Sequence, residues 1–197
     1  PNTDPLPEPE KELPFTDVKK SDWSYKAIKY MYDNKYISGT TSTTFSPKMK
    51  LTRGMLVTIL HNMEGKPNVS GKSKFPDVQN TNEYYYSAVK WASKNNIVNG
   101  YNNGKFGPND PITREQLAVM LNQYSIYKGT YQKTNADFSK FSDSNKISDF
   151  AKWGMNWAVG TGVITGTTEK TLIPQGTASR EEAAAMIYKY FLSLKNS

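Results

Sequence analysis

The sequence contains no cysteine, a single histidine and no long apolar run. The absence of cysteine excludes disulfides, thiolate metal sites and cysteine nucleophiles. It suits the cytosol, or the surface of a bacterium that does not rely on disulfides. Because His61 stands alone, neither a histidine-based catalytic triad nor a two-histidine metal site can be built. No stretch reaches the roughly 20 apolar residues that cross a bilayer, so we expect no membrane insertion.

Sequence signals for cofactors are also missing. No glycine-rich phosphate loop or dinucleotide fingerprint is present, and the NNGK loop at 102–105 lacks the spaced carboxylates of a calcium site. We therefore predict no cofactor and no metal. The net charge of +7 favours an anionic partner, whether nucleic acid, acidic lipid or acidic polysaccharide. No basic block resembles a nucleic-acid-binding stripe, so nucleic acid is not predicted as the partner.

The first residues differ in composition from the rest of the chain. Positions 1–13 are rich in proline and glutamate and have no hydrophobic period, which is typical of an extended linker. We interpret the sequence as a fragment of a longer protein, with a different module upstream of this linker.

The remainder of the chain repeats one pattern three times. Phe75 and Asp77 recur 66 residues later as Phe141 and Asp143, and the two units align without a gap. A first unit begins at Phe15 and aligns after a one-residue insertion. Self-similarity of this kind indicates a repeat architecture. We predict repeats at 14–66, 74–128 and 140–197, joined by polar connections and forming one composite domain.

Each unit predicts two helices separated by a loop. The first helices carry apolar residues at i, i+4, i+7 and i+8, beginning with Trp23, Tyr84 and Phe150. The second helices have the spacing i, i+3, i+4 and i+7, as in Leu117, Met120, Leu121 and Tyr124. One such pair cannot bury both stripes, so the three units should fold together. The fold class predicted is all-α, built from three helix-loop-helix repeats.

A hydroxyl residue and an arginine begin each second helix. The hydroxyls are Thr52, Thr113 and Ser179, and the arginines are Arg53, Arg114 and Arg180. The hydroxyl is a helix-capping signal. A cation is disfavoured in the first turn of a helix, so its threefold presence points to function. With the free amides of the helix end, a guanidinium would form a site for carboxylate or phosphate. The alternative is a salt bridge to a carboxylate of a neighbouring repeat.

Three further sets of repeated positions are candidates for ligand binding. They are Asp17, Asp77 and Asp143; Gly39, Gly100 and Gly166; and Trp23, Tyr84 and Phe150. The aspartates more plausibly cap the first helix or brace the opening turn than bind a sugar hydroxyl. The glycines allow either a positive φ after the helix or close approach of a ligand. For the aromatics, core packing is favoured over stacking on a sugar.

The combined pattern of Phe-x-Asp, an aromatic helix, (Ile/Val)-x-Gly, Phe-x-Pro and (Thr/Ser)-Arg-x-Glu resembles the S-layer homology repeat of bacterial surface proteins. The best match runs through 97–101 and 106–114. The resemblance implies a pseudo-threefold, three-pronged spindle. It also implies non-covalent attachment to a secondary cell-wall polymer of the Gram-positive envelope, typically through a terminal pyruvylated N-acetylmannosamine bound in grooves between repeats.

This ligand suits the residues, because a pyruvate ketal presents one carboxylate to an arginine. Lys50 is a candidate second cation, three residues before Arg53, and the other units have no lysine in its place. The grooves should therefore differ. Arg53 and Arg114 are preferred over Arg180, since the third unit has Gly166-Thr167 where the second has Gly100-Tyr101.

The predicted function is a non-catalytic anchoring module located outside the cell, in the wall or surface layer. Its predicted partner is an anionic cell-wall polysaccharide, with lattice self-association through upstream regions as a further expectation. A protein interaction array that binds acidic peptides is the first alternative. A wall hydrolase is the second, and it requires an asymmetric acid pair, whereas the aspartates here are equivalent.

Overall fold

The computed structural model describes residues 12–167 and 170–195. That part of the chain contains six α-helices, two in each repeat: Tyr25–Asp33 (α1), Arg53–Met63 (α2), Tyr86–Lys94 (α3), Arg114–Tyr127 (α4), Lys152–Gly160 (α5) and Arg180–Lys195 (α6). Two 3₁₀ turns, Ser144–Lys146 and Asp149–Ala151, lead into α5. The described residues form three isolated β-bridges and no strand, which confirms the all-α prediction. Of the predicted linker, 1–11 lie outside the described residues, and Leu13 packs against the core.

The second helices begin where the capping hydroxyls predict. The Thr52 hydroxyl accepts a hydrogen bond from the Met55 amide at 3.2 Å at the start of α2. In α4, Gln116 also accepts from the amide of its own cap residue, Thr113, which completes a capping box. In α6 a glutamate, Glu182, does the same for Ser179 at 2.8 Å. All three hydroxyl residues therefore cap helices.

The principal helix contacts join different repeats. α2 packs on α3, α4 on α5, and α6 on α1, so that the last helix contacts the first. The two helices that pack most closely thus come from neighbouring repeats, and not from the same repeat. A single repeat would leave both of its apolar stripes without a partner, so each unit depends on its neighbours to bury them. The three-pronged spindle shape stays a prediction.

The segments just before the second helices meet at the centre of this arrangement. The Ile112 amide donates to the Leu51 carbonyl, the Ala178 amide to the Ile112 carbonyl, and the Leu51 amide to the Ala178 carbonyl, each at 2.9 Å. All three side chains are fully buried. The hydrogen bonds form a closed ring, because each repeat donates to one neighbour and accepts from the other.

The predicted stripes are correct for the second helices and partly wrong for the first. Leu117, Met120, Leu121 and Tyr124 of α4 are all buried. By contrast, Trp23, Tyr84 and Phe150 are 63%, 54% and 61% exposed, so the favoured interpretation of these aromatics as core residues is wrong. Each precedes the first α-helical residue, where the helical period does not yet apply. The corresponding interior positions are filled by Ile28, Val89 and Met155.

Candidate functional site

Each repeated arginine reaches the loop of another repeat, and two of them do so through the same pair of hydrogen bonds. Arg53 Nε donates to the Phe106 carbonyl at 2.8 Å, and its Nη2 donates to the Asn99 carbonyl at 3.1 Å. Arg180 makes the same two bonds to the first repeat, with Phe45 at 2.9 Å and Ser38 at 2.6 Å. In the described part of the chain neither arginine forms an ion pair, so the salt-bridge alternative does not apply to them.

Both guanidinium groups are buried and lie against aromatic rings. Arg53 and Arg180 are 4% and 6% exposed. The Arg53 Cζ atom is 4.5 Å from the Tyr101 ring centroid, and the Arg180 Cζ atom is 4.5 Å from that of Phe45. Burial lowers the pKa of both arginines below the ordinary value of a guanidinium. An arginine nevertheless stays protonated in proteins, so each carries its full charge at neutral pH.

Each repeated aspartate holds the loop that its repeat presents to an arginine. Asp77 accepts hydrogen bonds from the amides of Phe106 at 2.9 Å and Gly107 at 2.7 Å. Asp17 and Asp143 accept from the equivalent amides of their own repeats. The aspartates are therefore structural, but they clamp a loop about 30 residues away and do not cap the first helix. The Phe106 amide donates to Asp77 and the Phe106 carbonyl accepts from Arg53. One loop residue therefore connects the aspartate of its own repeat to the arginine of another.

The loop glycines make room for the phenylalanine that opens each repeat. A Cβ at Gly39 would lie 2.5 Å from Phe15 Cε1, and one at Gly100 would lie 2.7 Å from Phe75 Cε1. Of the three, only Gly166 has the predicted positive φ, at 80°. Close packing explains the glycine at the other two positions, where the prediction of a positive φ is wrong.

The amides at the start of the second helices are not free, contrary to expectation. The Arg53 amide donates to the Asp110 carbonyl at 3.0 Å, and the Gly54 amide donates to the Pro108 carbonyl at 2.8 Å. The amides of Arg180 and Glu181 are held in the same way by the first repeat. The amides of these helix ends are therefore not available to an anion at the arginines.

Two equivalent grooves contain these arginines. The Arg53 groove has a volume of about 530 Å³ and lies between the loop 97–102 and α4, with Arg53 and Phe150 at its sides. The Arg180 groove has a volume of about 390 Å³ and lies between the loop 36–40 and α2, with Arg180 and Tyr84 at its sides. Each groove combines the loop and second helix of one repeat with the exposed aromatic of the next repeat and the arginine of the preceding one.

Arg114 has different surroundings. Its Nε donates to the Leu172 carbonyl at 2.8 Å, as in the other repeats, but its Nη1 donates to Glu182 Oε1 at 3.1 Å. Lys189 lies nearby and donates to the Thr165 hydroxyl at 2.8 Å. Burial, and secondly the Arg114 charge, lower the pKa of Lys189. We call Arg114, Leu172, Glu182 and Lys189 the Arg114 corner. Here the salt-bridge interpretation holds, with a glutamate as the partner.

Because each arginine contacts the loop of another repeat, the reason for preferring Arg114 over Arg180 does not hold. Arg180 lies against the first repeat's loop, whereas Arg114 lies against the third repeat's loop, which contains Gly166-Thr167. The Gly166-Thr167 loop therefore belongs to Arg114, but the first repeat's loop beside Arg180 has the same pair as Gly39-Thr40, so this pair does not distinguish the two arginines. Lys50 is exposed and lies outside the lining of both grooves, and its backbone bridges to Ser179.

Two buried glutamates were missed by the sequence analysis. Glu115 accepts from the amide and hydroxyl of Ser148 at 3.0 and 2.8 Å, and Glu181 accepts from the Ser24 hydroxyl at 2.8 Å. Each holds the start of the neighbouring first helix. An acid directly after the arginine in two of three repeats was the available signal. The first repeat has Gly54, where a Cβ would lie 2.8 Å from the Pro108 carbonyl oxygen.

A further depression, with a volume of about 410 Å³, lies beside Asp143, Lys146 and Ile173. None of the three repeated arginines lines it. The Asp143 carboxylate at its edge already accepts two backbone hydrogen bonds. We therefore place the candidate site in the Arg53 and Arg180 grooves.

Comparison with known families agrees with the threefold pattern. The S-layer homology domain matches the chain at 14–54, 74–118 and 140–184. The chain therefore belongs to the S-layer homology family, as three tandem repeats, and this family makes it a cell-surface anchoring module. None of the helices in the described ranges is long and apolar enough to cross a membrane.

Among its relatives are two enzymes and a surface-layer protein. The chain is 34% identical to an endoglucanase of Bacillus sp. (strain KSM-635) over 89% of its length, and 31% identical to exoglucanase XynX of Acetivibrio thermocellus over 90%. It is 31% identical to a surface-layer 125 kDa protein of Lysinibacillus sphaericus over 85%. The matches cover 18%, 16% and 14% of those proteins, so the chain corresponds to less than a fifth of each.

Proposed function

We propose that this chain is a non-catalytic module that anchors a protein to the cell wall by binding an acidic wall polysaccharide in the Arg53 and Arg180 grooves. The observation that carries the proposal is the state of the two arginines. Each is fixed by Nε and Nη2, each lines a groove, and Nη1 of each has no protein acceptor among the described residues. A charged donor fixed in this way suits the carboxylate of a sugar acid.

The groove chemistry also suits a saccharide. The Arg53 groove has the side chains of Gln116, Gln123 and Asn102 for sugar hydroxyls, and the exposed ring of Phe150 for an apolar sugar face. The Arg180 groove offers Thr40, Thr58 and Asn62, with Tyr84 in the place of Phe150. Of the predicted site residues, we retain the two arginines and these aromatics as ligand contacts, together with the loop backbone at Gly39 and Gly100.

The remaining candidates act as scaffold in this proposal. The aspartates hold the loops, and the hydroxyls of Thr52, Thr113 and Ser179 cap the helices. Gly166 shapes the loop of the Arg114 corner. Because the aspartates are engaged by backbone amides, they do not resemble the acid pair of a hydrolase, and this favours binding over catalysis.

The ligand we propose is the pyruvylated N-acetylmannosamine at the terminus of a secondary cell-wall polymer, in the envelope of a Gram-positive-type bacterium. One charge-assisted hydrogen bond contributes about 1.5–3 kcal/mol, so a single groove would bind weakly. Two grooves on one chain, and many chains on one wall, raise the avidity by about 10²–10⁴-fold. The surface-layer protein among the relatives is compatible with this location.

The test is binding of the chain to purified wall polymer before and after chemical removal of the pyruvate. We expect the affinity to fall at least tenfold when the carboxylate is lost. An unchanged affinity would contradict the carboxylate mechanism. Binding to protein-free polymer also separates this proposal from an interaction array for acidic peptides, which would require a protein partner.

A further inference from the structure

An exposed pair of aromatic side chains lies outside the lining of the two grooves. Trp153 of α5 is 48% exposed, and its ring centroid is 5.5 Å from that of Tyr131, in the connection between the second and third repeats. Two other tryptophans, Trp91 and Trp157, are each only 1% exposed. Tryptophan is highly buried on average, so its exposure at this position points to a partner. We call Trp153 and Tyr131 the aromatic pair.

The aromatic pair borders the Arg53 groove. Phe150, which lines that groove, precedes Trp153 by three residues, so the two rings project from the same side of the helix start. A Cβ at Gly154 would lie 2.8 Å from the Cα atom of Val119, which also lines the groove. Three residues of helix advance the chain by about 4.5–6 Å, close to the length of one sugar ring. The step from Phe150 to Trp153 therefore matches the step from one sugar to the next.

Hydrogen bonds fix the connection that carries Tyr131 on the surface of α5. Asn156 accepts from the Ala136 amide at 3.0 Å and donates to the Thr134 carbonyl at 2.8 Å. A Cβ at Gly160 would lie 2.4 Å from the Thr134 Cβ atom, which leaves no room for a side chain there. Because the protein itself holds the connection, a sugar that binds the aromatic pair does not have to order it.

The other repeats have no aromatic residue at the position of Trp153. It is Ser87 in the second repeat and Lys26 in the first, and both are exposed. The second repeat supplies Tyr84 to the Arg180 groove, which therefore has an aromatic at its side but a serine three residues farther on. A first helix thus forms with a small or a charged residue at this position, and the tryptophan is not needed to build it. The two grooves differ here.

We propose that the aromatic pair continues the Arg53 groove and binds the sugar next to the acidic terminal sugar of the wall polymer. A sugar ring has C–H groups on its face and hydroxyls at its rim, so it covers an aromatic ring while its polar groups stay in water. Two rings suffice for one sugar but are far smaller than the area of about 800 Å² that a stable protein partner buries on each side. This role rests on the proposed function and deepens it, since the Arg53 groove then recognises two sugars and the Arg180 groove only one.

The test compares a ligand of one sugar with a ligand of two. The probes are the methyl glycoside of pyruvylated N-acetylmannosamine and the terminal disaccharide of the same wall polymer, each titrated calorimetrically into the intact chain at pH 7. One of the two sites should bind the disaccharide about tenfold more tightly than the monosaccharide, and the other should bind both alike. A gain at neither site, or the same gain at both, would overturn the proposal.

Trp153→Ser introduces the residue that the second repeat has at this position. It should abolish the gain for the disaccharide and leave the affinity for the monosaccharide unchanged, whereas Trp153→Phe should keep most of the gain. If the tryptophan were merely structural, Trp153→Ser would lower the melting temperature without changing the ratio of the two affinities. The control is Leu192→Ser, which removes an apolar side chain that is 39% exposed and lines neither groove. It should change neither affinity.

Two further outcomes are decisive. If the unmodified chain self-associates in sedimentation, and Trp153→Ser abolishes the association without changing disaccharide binding, the aromatic pair is a contact between copies of the chain and the proposal is wrong. If the unmodified chain binds neither saccharide, the proposed function itself fails. That result differs from one in which both saccharides bind equally and Trp153→Ser changes nothing, where only the role of the aromatic pair fails.

Discussion

In the Arg53 groove and in the Arg114 corner, the same bond from an arginine Nε to a loop carbonyl positions the guanidinium, at 2.8 Å in both. The surroundings then differ. Arg53 lies under the Tyr101 ring in a groove that Gln116 also lines, whereas Arg114 is paired with Glu182 and has Lys189 nearby. The backbone scaffold repeats, but the charge presented to solvent does not.

This difference shows that repeat symmetry preserves the backbone more strictly than the surface. The aspartate clamp, the arginine Nε bond and the helix cap recur in all three repeats with distances that agree within a few tenths of an ångström. A single side chain beside the arginine, Glu182, is enough to change the charge that the scaffold presents. Function in such an array must therefore be assigned groove by groove.

The largest expected difference is in polymer binding after loss of the arginine. Arg53→Ala should weaken binding of wall polymer at least tenfold, whereas Arg114→Ala should leave it unchanged. Both should lower the free energy of unfolding by about 2–4 kcal/mol, because buried carbonyls lose their donor. Polymer pull-down and urea unfolding measure the two effects. Equal loss of binding in both variants would contradict the distinction between groove and corner.

A second difference is expected between two glycines in the loop of the second repeat. Gly100→Ala should destabilise the chain by about 2–3 kcal/mol, because the new Cβ would lie 2.7 Å from both Phe75 Cε1 and the Lys105 carbonyl oxygen. Gly104→Ala is the comparison, since that glycine has a positive φ of 78° and open space around it. It should cost only about 1 kcal/mol, from backbone strain. Thermal unfolding measures both, and a greater loss at Gly104 would contradict the packing explanation.

The aspartate clamp of the third repeat should lose its contribution to stability in acid. Burial by itself would raise the pKa of Asp143, but hydrogen bonds from the Leu172 and Ile173 amides outweigh it and hold the pKa below the ordinary 3.8. The charged form is thus favoured by folding, so its contribution is complete above about pH 4–5 and is lost as the pH falls through the lower folded-state pKa. Asp143→Asn should reduce the dependence of the free energy of unfolding on pH. Urea unfolding between pH 3 and 7 measures it, and an identical slope in the variant would refute this role.

The smallest effect is expected at a position next to the clamp. Ser46, Gly107 and Ile173 are equivalent, and their φ angles are 57°, 69° and 48°. A β-branched residue is the least suited to this conformation. Ile173→Asn should therefore stabilise the chain by about 1 kcal/mol. The melting temperature measures the gain, and a decrease would mean that the exposed isoleucine makes a contact worth more than its strain.

The sequence predicted the helices and their caps better than it predicted the contacts between repeats. The threefold register, the caps and the second-helix stripes follow from local spacing, which the helix period determines. That Arg53 contacts the loop of another repeat could not be read in this way, since spacing within a repeat carries no information on contacts between repeats. For the same reason Arg180 was ranked below Arg114.

The exposed aromatics show a second limit of sequence reasoning. Trp23, Tyr84 and Phe150 continue an apolar stripe in the sequence, but each lies just before its helix, where the helical period fails. Helix boundaries are uncertain by one or two residues from sequence, and one residue turns a side chain by about 100°. The buried residues of these helices therefore include Ile28, Val89 and Met155, and not the three aromatics.

The sharing of each groove among three repeats has a consequence for how such chains evolve. The loop, the arginine and the exposed aromatic of the Arg53 groove come from three different stretches of the gene. Recombination that exchanged one repeat would alter every groove at once. Selection therefore acts on the triplet as a whole, and new specificities should arise through point mutations within it more readily than through shuffling of its parts.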